Sequence, residues 1–209
     1  MSTIANSIVF ASICPHPPII LPSVGSKKDR TMAKKTIESL GSLGKKMREA
    51  GPDSIIISSP HDDWGFNVPL FFLAPKFKGE IEHVLIGSRS PKFYFEEGKK
   101  IVREPFSDNK KYALIASGDL SHCLKKEGPY GFHQDGPKFD EALVKALEKK
   151  DIKKILKLDD LYPEAGECGL RSICFILGIL EESKVKYEPQ ILSYEGPWGV
   201  GYLVANFKL

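Results

Sequence analysis

The sequence has no apolar run of the roughly 18 to 20 residues that would cross a bilayer. Its start, MSTIANSIVFASICPHPP, lacks the positive charge that opens a secretory signal. These absences lead to the expectation of a soluble, cytoplasmic protein with no membrane partner. Cysteine is scarce: Cys14, Cys123, Cys168 and Cys174 form no CxxC pair and no even framework. Reduced thiols are therefore expected rather than disulfides. An excess of one charge is also missing, with 30 basic against 27 acidic residues and a net charge of +3. The lysines are scattered through helix-like stretches instead of forming a stripe, which argues against a nucleic-acid partner. No GxSxG elbow is present, so a serine hydrolase has no support. The stretch GPWGVG has neither the lysine of a phosphate loop nor the GxGxxG spacing. There is no repeat, low-complexity segment or linker, and residues 1–209 read as one domain.

What is present supports a packed core, with 42% hydrophobic and 27% charged residues. Residues 7 to 14, around IVFASIC, read as a buried strand stopped by prolines. DRTMAKKTIESLGSLGKKMREAG places Met32, Ile37, Leu40, Leu43 and Met47 at helical spacing and stops at Gly51. DSIIISSPH is a second buried strand. FFLAP, IEHVLIG and YALIASGDLSH are further strand candidates, and PKFYFEEGKKIVREPF reads mostly as a helix. Later, PKFDEALVKALEKKDIKKILKLD is amphipathic and EAGECGLRSICFILGILEES is a more apolar, buried helix. QILSYEGPWGVGYLVANF reads as a closing strand pair that turns at Gly196-Pro197. Strands alternating with helices predict an α/β fold with a mostly parallel central sheet flanked by helices.

Three strand candidates end in histidine: SICPH at His16, IIISSPH at His61 and LIASGDLSH at His122. In open α/β sheets ligands bind beyond the carboxyl ends of the strands, so these imidazoles are expected at one rim. Prolines on both sides of His16 stiffen its loop, which lowers the entropy lost when the ring is placed on a ligand. Histidine is a common metal ligand, and two histidines with a carboxylate leave open positions on Fe(II). A third, unligated histidine beside such an ion is a natural acid/base. His83, alternating with apolar residues in IEHVLIG, reads as an exposed strand residue, and His133 in a Gly-rich loop as solvated.

The carboxylate has several candidates: Asp62, Asp63, Asp119, Glu164, Glu167 and Glu195. Glu167 stands where the buried helix begins, where it serves either a metal or the helix dipole. Its neighbour Cys168 is an alternative ligand whose softer thiolate suits zinc or copper better than an oxygen-activating iron. Asp119 lies three residues before His122, where it either orients that ring or caps a turn. Arg171 pairs either with a carboxylate or anion in the site or in an ordinary ion pair. Tyr194 and Trp198 form either an aromatic wall or plain core.

Together, CPHPPIILPSVG, SSPH, SGDLSH, EAGECGLRS and LSYEGPWGVGYLVA resemble the class III extradiol ring-cleavage dioxygenase superfamily, catalytic B-subunit type. Within it the chain is most similar to the dioxygenase-like half of AmmeMemoRadiSam system protein A, and more distantly to the Memo family. The likeness runs from about residue 7 to 207, and an AMMECR1-type half is not expected. The resemblance implies a non-haem Fe(II), with zinc or copper as alternatives, held by His16, His61 and Glu167, with His122 as acid/base. In Memo-like members a cysteine takes the third position, which Cys168 matches. Asp119 and Arg171 then stand behind the ligands. The implied reaction is cleavage of a catechol-like or aminophenol-like ring with O2, and the implied assembly is a homo-oligomer. The alternative is a Memo-like protein that holds a metal or a partner without cleaving a ring. No clear counterpart is found for the additional substrate-binding histidine of ring-cleaving members.

Overall fold

A computed structural model describes residues 7–103 and 110–209. Its strands are β1 (Ile8–Cys14), β2 (Ser54–Ser59), β3 (Glu80–Leu85), β4 (Tyr112–Ser117), β5 (Glu188–Glu195) and β6 (Tyr202–Lys208). The helices are α1 (Lys27–Met32), α2 (Lys34–Ala50), α3 (Trp64–Leu73), α4 (Pro91–Arg103), α5 (Asp135–Glu148), α6 (Ile152–Ile155), α7 (Leu158–Leu161) and α8 (Leu170–Ser183). All six strands form one sheet in the order β3-β2-β4-β1-β6-β5. The first four run parallel, β6 is antiparallel to β1, and β5 to β6. This is the mostly parallel α/β sheet that the alternating pattern predicts, closed by a hairpin across Gly196-Pro197.

The central strands are apolar on both sides because helices cover both faces. Ile13, Ile56 and Leu114 pack with Phe139, Leu143, Ile173 and Phe175 beneath α4, α5 and α8. Ile55, Ile57 and Ile115, on the opposite face, pack with Leu40, Leu43, Met47, Phe66 and Val68 of α2 and α3. Helix α2 ends where Gly51 takes a left-handed conformation, φ 60°. No helix among the described residues is long and apolar enough to cross a membrane.

Three local expectations are corrected. The stretch FFLAP is not a strand: Phe71, Phe72 and Leu73 complete α3, whose all-round apolar character hid its helical period. The helix expected from Asp29 to Ala50 is divided at Ala33, leaving Met32 exposed rather than buried. The amphipathic stretch after Asp135 is likewise divided, where Lys150 adopts φ 54° between α5 and α6. Of the helix expected across PKFYFEEGKKIVREPF, residues 104–106 lie outside the described residues.

Candidate metal centre

Neighbouring parallel strands β2, β4 and β1 point their carboxyl ends to the same rim. Beyond β1 the chain enters Pro15-His16-Pro17, and the His16 N–H donates to Asp119 Oδ1 at 2.9 Å. The imidazole is 2% exposed, and its Nδ1 lies 3.0 Å from Ser117 Oγ at the end of β4. Beyond β2, Ser59 Oγ accepts from the His61 N–H at 3.2 Å and donates to the His61 carbonyl at 2.9 Å. The His16 and His61 rings meet edge to face with centroids 5.2 Å apart, and Trp64 stacks on the outer side of His61.

The third group comes from the turn before α8. Gly166 sits at φ 61°, and a Cβ there would lie 2.9 Å from the Tyr130 ring and 3.1 Å from Cys123 Sγ. Glycine is therefore required on both conformational and steric grounds. The turn brings the N–H groups of Cys168 and Gly169 to the Asp119 carbonyl oxygen, at 3.4 and 2.9 Å. Asp119 thus ties the His16 loop through its side chain and the Cys168 turn through its backbone. Cys168 Sγ stands 3.5 Å from His16 Nε2. One donor atom each from His16, His61 and Cys168 lies within 4.8 Å of the other two.

Glu167 points elsewhere. Its Oε2 accepts from the Leu170 N–H at 2.6 Å, and its Oε1 accepts from Arg171 Nη1 at 2.9 Å. Arg171 also donates to the Arg89 carbonyl at 2.7 Å and meets Asp159 at 3.4 Å, so its role is to hold this turn in place. Glu195 accepts from the Thr36 N–H and hydroxyl at 2.7 and 2.6 Å. Asp62 and Asp63 bond locally at the start of α3, and Glu164 is exposed. Trp198 joins the core beneath the hairpin.

His122 comes from the longer loop after β4. Its N–H reaches the Gly166 carbonyl at 3.3 Å and its ring stacks on Tyr130, centroids 5.3 Å apart. Nδ1 of His122 is buried and has no hydrogen-bond partner. The loop is braced at Ser121. The Ser121 N–H donates to Asp140 Oδ1 at 2.9 Å, its hydroxyl donates to the Ala165 carbonyl at 2.6 Å, and its carbonyl accepts from the Gly201 N–H at 2.8 Å. Tyr194 donates its hydroxyl to the other Asp140 oxygen at 2.6 Å, which gives that aromatic its place. Sequence reasoning missed Ser117 and Asp140. For Asp140 a signal existed: a carboxylate beside Phe139 in the buried stripe of α5 requires hydrogen-bond partners.

The charges suit a cation. Burial, with His61 and His122 adding to it, pushes His16 down to about 3, so its imidazole stays neutral. Burial and then Asp119 push the Cys168 thiol well up. An ion that replaces the thiol proton relieves that cost, as metal binding at cysteine generally does. The donor chemistry of two imidazoles and one thiol therefore fits a transition metal, and the thiol favours softer ions such as zinc or copper. His83 is exposed and rests against Phe66, and His133 is half-buried and accepts from the Asp135 N–H. All four cysteines are free thiols.

Comparison with known proteins follows the same lines. A protein of Clostridium acetobutylicum, Protein CA_C1420, is 28% identical over a 267-position alignment covering 94% of this chain and 56% of that protein. The chain thus spans about half the length of that curated relative. Among solved structures, the uncharacterized protein JW3007 of Escherichia coli K12 superposes with a TM-score of 0.62 at 15% identity. That match covers 95% of this chain and 99% of the other, and it supports the fold. Residues 62–205 match the family described as the catalytic LigB subunit of aromatic ring-opening dioxygenase. With most of its length inside that match, and the histidine-bearing sheet rim the fold displays, this chain belongs to the LigB family of aromatic ring-opening dioxygenase subunits.

Proposed function

We propose that the chain is a metal-dependent oxidoreductase acting on a catechol-like or aminophenol-like aromatic, with O2 as co-substrate. His16, His61 and Cys168 hold the ion, and His122 moves the proton. The observation that carries this reading is the convergence of three donor atoms within 4.8 Å at the sheet rim of a ring-opening dioxygenase scaffold. When bound, a redox-active ion such as iron or copper supplies Lewis acidity toward adjacent substrate oxygens and electrons toward O2. The remaining work falls to side chains. The His122 imidazole accepts the proton of a substrate hydroxyl and returns it later, and stacking on Tyr130 fixes its ring plane. Holding the reactants at one rim lowers the entropy barrier to their encounter.

A second reading has a specific observation behind it. Cys168 reaches His16 while Glu167 bonds to Leu170 and Arg171. A thiol in place of the family's carboxylate favours a Memo-like protein that binds a soft metal without opening a ring. The test is anaerobic purification, loading with Fe(II), Cu or Zn in turn, and O2 uptake with a panel of catechols and aminophenols. The oxidoreductase reading predicts substrate-dependent uptake that His122→Ala abolishes while metal content is kept. Full metal occupancy with no uptake from any substrate would favour the metal-holding reading.

A further inference from the structure

Helix α3 contains a proline in its interior, Pro69, where a proline ordinarily costs stability. Pro69 has no N–H, so the carbonyl four residues earlier, that of Gly65, lacks its regular helical donor. That carbonyl is not left empty. Ser117, at the end of β4, donates its hydroxyl to Gly65 O. A serine hydroxyl has one proton, so the same oxygen meets His16 Nδ1, 3.0 Å away, as an acceptor. His16 Nδ1 must then carry the ring proton, and Nε2 is left with its lone pair toward Cys168 Sγ at 3.5 Å. The approach depends on glycine at position 65, because a Cβ there would lie 2.1 Å from Ser59 Oγ and 3.1 Å from the His61 Cβ.

We infer that Pro69, Gly65 and Ser117 form a relay that fixes His16 as the Nδ1–H tautomer, presenting Nε2 as the ligating nitrogen. They act as positioning residues. The relay runs through two elements and one side chain: α3 supplies the open carbonyl, β4 the hydroxyl, and the β1 loop the imidazole. Its logic is that of partners behind metal-bound histidines, where a hydrogen bond to one nitrogen decides the chemistry of the other. The inference rests on the reading of His16 as a ligand, but the tautomer itself is measurable with no metal present.

The experiment is long-range proton–nitrogen NMR of the metal-free protein with ¹⁵N-labelled histidine, followed by Zn(II) affinity from chelator competition. The wild type should show His16 protonated at Nδ1. Ser117→Ala should lose that preference and weaken Zn(II) binding roughly 10- to 100-fold. Pro69→Ala restores a backbone donor to Gly65 O, which competes with Ser117. It should lower Zn(II) affinity about 3- to 10-fold, less than the roughly 10- to 100-fold for outright loss of an outer partner, without lowering the thermal midpoint. A role confined to stability would not separate these two effects. An Nε2-protonated His16 in the wild type overturns the inference even if Ser117→Ala fails to fold. So does a Ser117→Ala protein with unchanged tautomer and affinity, and unchanged values in Pro69→Ala remove Pro69 from the relay. A wild type that binds no metal yet shows the Nδ1–H tautomer leaves the tautomer relay standing and removes the ligand role of Nε2 together with the proposed function.

Discussion

The loops after β1 and β2 and the loop after β4 reach the same rim by different means. His16 and His61 each stand two residues past their strand, held by backbone bonds to Asp119 and Ser59. His122 stands five residues past β4, too far for the strand to aim it. Its loop is instead tied at Ser121 to α5 through Asp140, to the Cys168 turn through Ala165, and to the closing hairpin through Gly201. The short loops hold the candidate ligand nitrogens and the braced loop holds the candidate acid/base. The antiparallel pair β5–β6 contributes no histidine to the rim, but its Tyr194 and Gly201 brace the loop that does. Metal binding and proton transfer should therefore fail separately when the two kinds of loop are damaged.

The sharpest way to break this division lies at two adjacent residues. Cys168→Ala should weaken Zn(II) or Cu binding by more than the roughly 100-fold that loss of an outer partner costs. Glu167→Gln should change it only a few-fold, because its carboxylate bonds to Leu170 and Arg171. The reverse order, measured by chelator competition, would move the third ligand to the carboxylate.

The brace offers the next test. Burial raises the Asp140 carboxyl from 3.8 to about 7, despite the hydrogen bonds from Tyr194 and Ser121. The folded protein then binds more protons than the unfolded chain between those values, so this group's contribution to stability falls as pH rises from about 4 to 7. Asp140→Asn, which keeps an acceptor for the Ser121 N–H, removes that slope. Chemical denaturation at pH 5 and pH 7 should show the variant gaining roughly 1 to 2 kcal/mol on the wild type over that interval. Equal pH slopes would show that Asp140 does not titrate as described.

The smallest effect belongs to Tyr130, which is 68% exposed and stacked on His122. Tyr130→Ala should cost less than about 1 kcal/mol of stability. Zn(II) affinity should stay within twofold, while the His122 ring signals in NMR broaden. A large loss of metal would show that the two kinds of loop are coupled.

Much of this plan is legible in the sequence. Strands β1, β2 and β4 announce themselves as short apolar runs with abrupt stops, and the histidines after them follow from the rule that ligands bind at strand ends. Glu167 and Cys168 could not be separated by sequence. They are neighbours, and the direction of each is decided by the Gly166 turn and by the Asp119 carbonyl, a contact 49 residues distant. FFLAP misled because a helix apolar all round shows no period. Ser117 looked like an ordinary strand end, and its link to Pro69 emerges only when α3 is laid against β4.

The central claim is that His16, His61 and Cys168 hold one ion. X-ray absorption at the metal edge of the anaerobically loaded full chain tests it most directly. The account predicts two imidazole nitrogens and one sulfur bound to the ion, with the sulfur contribution gone in Cys168→Ala. A wild-type ion surrounded only by nitrogen and oxygen would contradict it.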